Sequence, residues 1–309
     1  MTHTHRTATA ARSAAAHLRR RGWERERVEN VVFGALAWLM RAFLLVITVV
    51  PLVYLVALSA RPLESLLADP LRILPTAAEA TLDGYRRALA PMEEGGYDVG
   101  SFLLNSLFVG LGTVACALLF SVLGAYAVSR FHFPGKRTLG VLFLSVYLFP
   151  AVVIAIPLFV LFTGMGLRGS LVALVVIYLA QTVPVALFML RNFFAGLPES
   201  IEEAAAIDGC GGLRTIRHVV LPLAVPALVA TALYVFIVAW NEFLFALLFL
   251  LETRESWTAS IGIALLDNQD VAPTVLLAAS VVMTLPIAIL FLFAQRVFAE
   301  GLTAGATKE

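Results

Sequence analysis

Two adjacent carboxylates, Glu202 and Glu203, open the run "EEAAAIDGCGG" at residues 202–212, inside a chain that is otherwise strongly apolar. Paired acids serve general acid–base chemistry only beside a nucleophile or a second titratable partner. Here the neighbours are alanines, Asp208 and glycines. A further acid, Glu242, follows Asn241 inside an apolar segment. An ionisable side chain at mid-bilayer costs at least about 2.5 kcal/mol, so it marks either a solute pathway or a satisfied hydrogen-bond network. Both readings stand for Glu242, which could also lie near the outer interface beside Trp240. Gln181 and Thr182 make a weaker polar pair, of the kind that hydrogen-bonds between helices. His3, His5 and His17 lack ligand spacing, and Cys116 and Cys210 fall on different elements with no disulfide or metal pattern. Gly135-Lys136 lacks the rest of a phosphate-binding loop, and no GxSxG or HExxH occurs. The expectation is a chain with no catalytic residue, no metal and no bound cofactor. Any energy it uses must come from a partner.

The elements that position these residues are membrane helices. The 309 residues are 60% hydrophobic and 14% charged, well below the usual quarter for soluble domains. A bilayer core of roughly 30 Å needs about 20 apolar residues per helix. Six segments meet that length, at 42–60, 102–128, 138–163, 170–190, 220–250 and 273–295. The fold expected is all-α and integral to the membrane, with a permease domain over 42–296 between end segments 1–41 and 297–309. Residues 1–26 read as a disordered basic tail and 27–40 as a helical lead-in. Segment 1–41 holds eight arginines, and the 129–137 connection holds Arg130, Lys136 and Arg137 with no acid. The positive-inside rule then puts both termini, 129–137 and 191–219 in the cytoplasm. Prolines 150, 157, 184, 222, 226 and 286 interrupt four of the six segments. Such breaks are tolerated where a neighbouring helix or a wet cavity satisfies the freed carbonyls, which suits a transporter better than an anchor. Near-zero net charge gives no sign of a nucleic-acid partner.

Around the opening run, Ser200-Ile201-Glu202-Glu203 reads as a capping box, with Pro198 just upstream. Ala204, Ala205 and Ala206 propagate a thin helix, and Asp208-Gly209 stops it, Gly209 taking the left-handed conformation. A second helical stretch, "LRTIRHVV", leads to Leu221-Pro222. A thin helix with flanking charges fits a partner's groove or lies on the membrane surface; shape alone does not choose.

Glu203-Ala204-Ala205, three residues, Gly209, nine residues, Val219, one residue, Leu221-Pro222 resembles the EAA signature of binding-protein-dependent ABC importer permeases, with Val219 where that pattern has Ile. Over most of the chain the resemblance is to the maltose-type (MalG-like) carbohydrate permeases. It rests on Asn105-Ser106-Leu107, "GAYAVSRFHFPGKR", Pro150, Pro157, Trp240-Asn241-Glu242-Phe243 and "GLTAGATKE", whose final Glu309 replaces a Gly.

The resemblance implies a type I ABC importer permease fold with six transmembrane helices and a cytoplasmic coupling helix. Glu203, Ala204, Ala205, Asp208, Gly209, Leu213, Ile216, Leu221 and Pro222 would couple to the ATPase, with Glu203 as the charge contact and Leu213 and Ile216 as apolar anchors. Asn241, Glu242, Gln181 and Thr182 are the candidates for the sugar pathway. The outward loop 251–272 would meet the binding protein through Trp257, Asp267 and Asp270. The implied partners are a second, MalF-like permease, a dimer of ATP-binding subunits that uses ATP and Mg, an extracytoplasmic sugar-binding protein and lipid. The implied place is the inner membrane of a bacterium or archaeon. A self-contained secondary transporter or channel is the competing expectation. It would predict an internal repeat and deep ion-coupling acids; no clear repeat is present, and Glu242 is the one candidate acid.

Overall fold

The computed structural model describes residues 3–145, 149–267 and 271–306. Every element among the described residues is helical. The chain forms two units, Met1–Ala57 and Leu58–Glu309.

The first unit is formed by α1 (His3–Ser59), whose last two residues belong to the second unit and which carries Pro51 within it. The tail expected to be disordered over 1–26 is instead helical from His3. Its composition explains this: Ala and Arg are strong helix formers, and the first Gly is Gly22. From Val31 to Val50 the large apolar side chains are exposed. A helix apolar all round belongs in lipid.

The second unit begins with the connection to α4, which holds two short helices, α2 (Leu63–Ala68) and α3 (Asp83–Leu89). Arg61 organises it. Its side chain is buried, and its guanidinium donates to the carbonyls of Ser65, Asp69 and Arg72. Next come α4 (Val99–Arg130), α5 (Lys136–Ser145), α6 (Ala151–Gly164) and α7 (Leu171–Ala195). The segment after α7 holds α8 (Glu199–Ile207), α9 (Gly212–Thr215), a π-helical turn at Ile216–Val220 and α10 (Leu221–Leu223). The chain then bends by 82° into α11 (Val225–Asn241). The last helices are α12 (Leu244–Leu250), α13 (Ala259–Asp267) and α14 (Pro273–Ala306).

Among the described residues, four helices are long and apolar enough to cross a membrane: Asn30–Ser59 of α1, α4, α7 and Pro273–Val297 of α14; the bent pair ending in α11 makes a fifth if it counts as one span. The third expected span, 138–163, is split. Pro150 stands at the start of α6, and α5 and α6 have 10 and 14 residues, each short of the roughly 20 a span needs. The fifth, 220–250, is broken at Ala224 and again at Glu242-Phe243. Proline removes the backbone donor in the first case. In the second a side-chain carboxylate takes over the free N–H groups, as described below.

The helix α4 is the central beam. Phe102, Ser106, Val109, Gly110, Thr113, Ala117, Ser121 and Ala125 are buried at the three- and four-residue spacing of one helix face. Leu104, Phe108, Leu111, Leu119, Phe120 and Leu123 are exposed. The buried face meets α7 and α11, and small residues set how closely. A Cβ on Gly110 would stand 2.9 Å from the ring of Phe236. Near the N-terminal end of α4, Asn105 donates to the carbonyls of Glu255 and Trp257 (2.7 and 3.0 Å), and the Ser106 hydroxyl accepts from the Ala259 N–H at 2.7 Å. This seats α13 against α4, with Gly262 facing Phe102. A Cβ there would lie 2.5 Å from that ring, and overpacking a filled site costs about 1–3 kcal/mol. Gly262→Val is therefore expected to lower the thermal midpoint of the purified protein. Gly100→Ala, where a Cβ meets nothing within 4 Å, should leave the midpoint unchanged or slightly raised.

Candidate functional site

At the segment between α7 and α11 Pro198 is extended, with φ −59° and ψ 131°, and α8 starts at Glu199. The expected capping box does not form. Ser200 already lies within the first turn, the cap position belongs to Pro198, and no side chain caps the helix. The stop is as expected. Gly209 takes φ +81°; its N–H bonds the Ala206 carbonyl at 3.1 Å, and the Cys210 N–H bonds that of Ala205 at 2.9 Å. These two crossed bonds make a Schellman turn, which a side chain at Gly209 would strain.

Glu202 and Glu203 are one residue apart and so point about 100° apart around α8. Glu202 turns inward. Its carboxylate accepts from Arg130 Nε and from the Tyr126 hydroxyl, both at 2.7 Å. The side chains of Arg130 and Glu202 are 10% and 16% exposed. Arg130 Nη2 also donates to the Leu197 carbonyl at 3.1 Å. Glu203, the expected charge contact, is exposed together with Ala204, Asp208 and Gly209, while Ala205 is buried. Ile207 is 87% exposed and Leu213 76%. The other expected anchor, Ile216, packs inward with Leu221 onto a cluster of Val122, Ala125, Leu187, Leu190, Phe194 and Val220; Pro222 is exposed. The segment thus has an inner face fastened to α4 and an outer face with exposed apolar side chains.

Within the membrane helices, Glu242 sits at the break between α11 and α12. Its carboxylate accepts from the Tyr178 hydroxyl (2.7 Å) and from the N–H groups of Phe245 (3.0 Å) and Ala246 (3.1 Å). It therefore stands in for the backbone acceptors that the first turn of α12 lacks. Its own carbonyl takes the Ser260 hydroxyl at 2.7 Å. Of the two readings, this geometry is the hydrogen-bonded one. Thr182 is buried and donates to the Tyr178 carbonyl, and Asn241 donates to that of Ile237; both satisfy their own helices. Gln181 lines a cavity of about 470 Å³ with Pro150, Ile154, Ile177, Tyr234 and Phe245. The cavity is mostly apolar, with an amide and a phenol as polar groups.

In the loop after α12, Trp257 is buried. Its Nε1 donates to the Leu250 carbonyl at 3.1 Å, its ring packs on Phe102, and the Arg254 guanidinium lies 4.8 Å above it. It is unavailable as the docking side chain expected of it. Asp267 is exposed, and Asp270 lies outside the described residues. Sequence reasoning missed Glu202, Tyr126 and Arg130 as a group. The available signal was the four-residue spacing of Tyr126 and Arg130 on one helix face, in a stretch read for its resemblance and its positive charge.

An all-helical chain with interrupted membrane helices around a cavity, and a short helix held at their edge, has the form of a membrane transport component. The chain belongs to the family of binding-protein-dependent transport system inner membrane components, whose sequence pattern matches residues 117–303. It is 34% identical over 268 residues to the inner membrane ABC transporter permease protein YcjP of Escherichia coli, covering 86% of this chain and 94% of that one. It is 34% identical to the trehalose/maltose transport system permease protein MalG of Thermococcus litoralis, with coverage of 85% and 92%. For the trehalose transport system permease protein SugB of Mycobacterium tuberculosis the identity is 36%, with coverage of 84% and 92%. The fold matches a chain of a bacterial ABC transporter involved in alginate import, with a TM-score of 0.72 at 23% identity, over 87% of this chain and 97% of that one. The chain is thus an ABC importer permease component of type I fold. It is not itself an enzyme; ATP hydrolysis belongs to a separate subunit. Nothing in these likenesses favours a self-contained secondary transporter or channel.

Proposed function

We propose that the chain is one of two permease subunits of a sugar importer and forms half of the translocation pathway beside a MalF-like partner. A dimer of ATP-binding subunits, holding the ATP and Mg, drives it, and an extracytoplasmic sugar-binding protein delivers the solute. Both termini lie in the cytoplasm, on the side of the basic 129–137 connection. The observation that carries the reading is the outer face of α8. Ile207, 87% exposed beside Glu203 and Ala204, presents an apolar side chain that a partner's groove would bury. The sugars named in the relatives, trehalose and maltose, set the class of solute.

The cavity at Gln181 and Tyr234 is the pathway wall in this reading. An aromatic ring and an amide among apolar side chains suit a sugar's flat faces and hydroxyls. Exposed Asp267 remains the acidic candidate for contact with the binding protein, with Asp270 beside it in sequence. The test is uptake of labelled maltose or trehalose into vesicles of the reconstituted assembly. Uptake that needs ATP with the ATP-binding subunits and binding protein on the opposite side is the expected result. Uptake driven by an ion gradient without ATP would overturn it.

A further inference from the structure

The outer face of α8 accounts for docking but not for how a load on it reaches the membrane. Within α8 only Ala205 is buried, so apolar packing holds this helix weakly. Its firm attachment is polar. Tyr126 and Arg130 lie one turn apart on the last turns of α4 and together take both oxygens of Glu202. The same guanidinium reaches the Leu197 carbonyl on the far side of Pro198. One side chain thus holds α8 and the strand entering it, which fixes the angle at Pro198. Behind it the Tyr126 ring meets Phe194 of α7 edge-on at 6.4 Å. Three elements, α4, α7 and α8, join at this point.

We infer that Arg130 and Tyr126 are positioning residues, and that their grip on Glu202 is the joint through which force on α8 moves α4. This rests on the coupling role proposed above for α8. A mostly buried, doubly bonded carboxylate resists shear better than an exposed ion pair, because little water competes for either partner. A lever transmits only if its arm and beam move as one body. With the joint cut, the ATP-binding subunit still finds the outer face of α8, but its motion is lost in slack at Pro198.

The experiment compares Arg130→Ala, Arg130→Lys, Tyr126→Phe and the exchange Arg130→Glu/Glu202→Arg in the full reconstituted assembly. It reads co-purification of the ATP-binding subunit, ATP hydrolysis, and sugar transported per ATP. Arg130→Ala is expected to keep co-purification and hydrolysis while transport per ATP falls about ten-fold, the scale of a typical coupling between sites. Arg130→Lys and Tyr126→Phe should fall part of the way, and the exchange should recover part of the loss. A merely structural role would lower the amount of complex and leave the ratio alone. If Arg130→Ala fails to assemble, the two mild variants decide. Wild-type transport per ATP in Arg130→Ala, or in both mild variants, overturns the inference. If instead no ATP-binding subunit co-purifies with the wild-type chain, the coupling role of α8 itself has failed, and the two failures are told apart.

Discussion

Ile207→Asp is expected to strip the ATP-binding subunit from the assembly while leaving the permease folded. Ile207 is 87% exposed in its own chain, so its replacement removes no internal packing. In the complex the same side chain would be buried, and burying an isoleucine stabilises by about 1.5–3 kcal/mol. A carboxylate in its place must also be desolvated without a partner. Together these exceed the roughly 2.7 kcal/mol that corresponds to a hundredfold loss of affinity. Co-purification should drop accordingly, ATP-driven uptake should fall with it, and the thermal midpoint of the isolated chain should hold. Wild-type uptake would mean that the apolar surface of α8 faces lipid or solvent throughout the cycle.

Glu242→Ala should be the most destabilising single change in the second unit. It strands the N–H groups of Phe245 and Ala246 in the first turn of α12, together with the hydroxyl of the fully buried Tyr178. Leaving buried donors unpaired costs about 1–3 kcal/mol each, so a loss on the order of 3 kcal/mol is expected for the set. Thermal unfolding of the purified assembly measures it directly. Sugar KM in the surviving fraction should be unchanged, because the carboxylate is occupied by its own chain. Glu242→Gln keeps the shape and one acceptor oxygen, and should lie between. A raised KM with an unchanged thermal midpoint would instead make Glu242 a pathway ligand.

Much of this was legible in the chain because the signals were local. The alanine run and Asp208-Gly209 specify a short helix and its left-handed stop within a dozen residues, and the Schellman turn at Gly209 follows directly. Of the small residues of α4, Gly110, Ala117 and Ala125 are buried on its packing face and Ala115 is exposed. The unread parts were those settled by distant partners. Which of Glu202 and Glu203 turns inward depends on Arg130, 72 residues away, and periodicity cannot choose between neighbours on a helix with no partner in view. Trp257 looked like a loop residue because the burial that hides it comes from Phe102 and from the Asn105 contacts to its loop. The break at Glu242 was hidden because the residues on both sides are apolar, so hydropathy runs through it although the carboxylate takes N–H groups only three and four residues on. The division of the third expected span had a visible cause in Pro150, but hydropathy counts apolar residues whether or not the helix through them is continuous.

The central claim is that the outer face of α8 is where the ATP-binding subunit docks. The most direct test is site-specific cross-linking from position 207, using Ile207→Cys with Cys116 and Cys210 replaced by serine and a thiol-reactive photo-cross-linker in native membranes. The account predicts a cross-link to the ATP-binding subunit whose yield changes on adding ATP. Cross-links to lipid alone, with the ATP-binding subunit captured from some other part of the cytoplasmic surface, would contradict it.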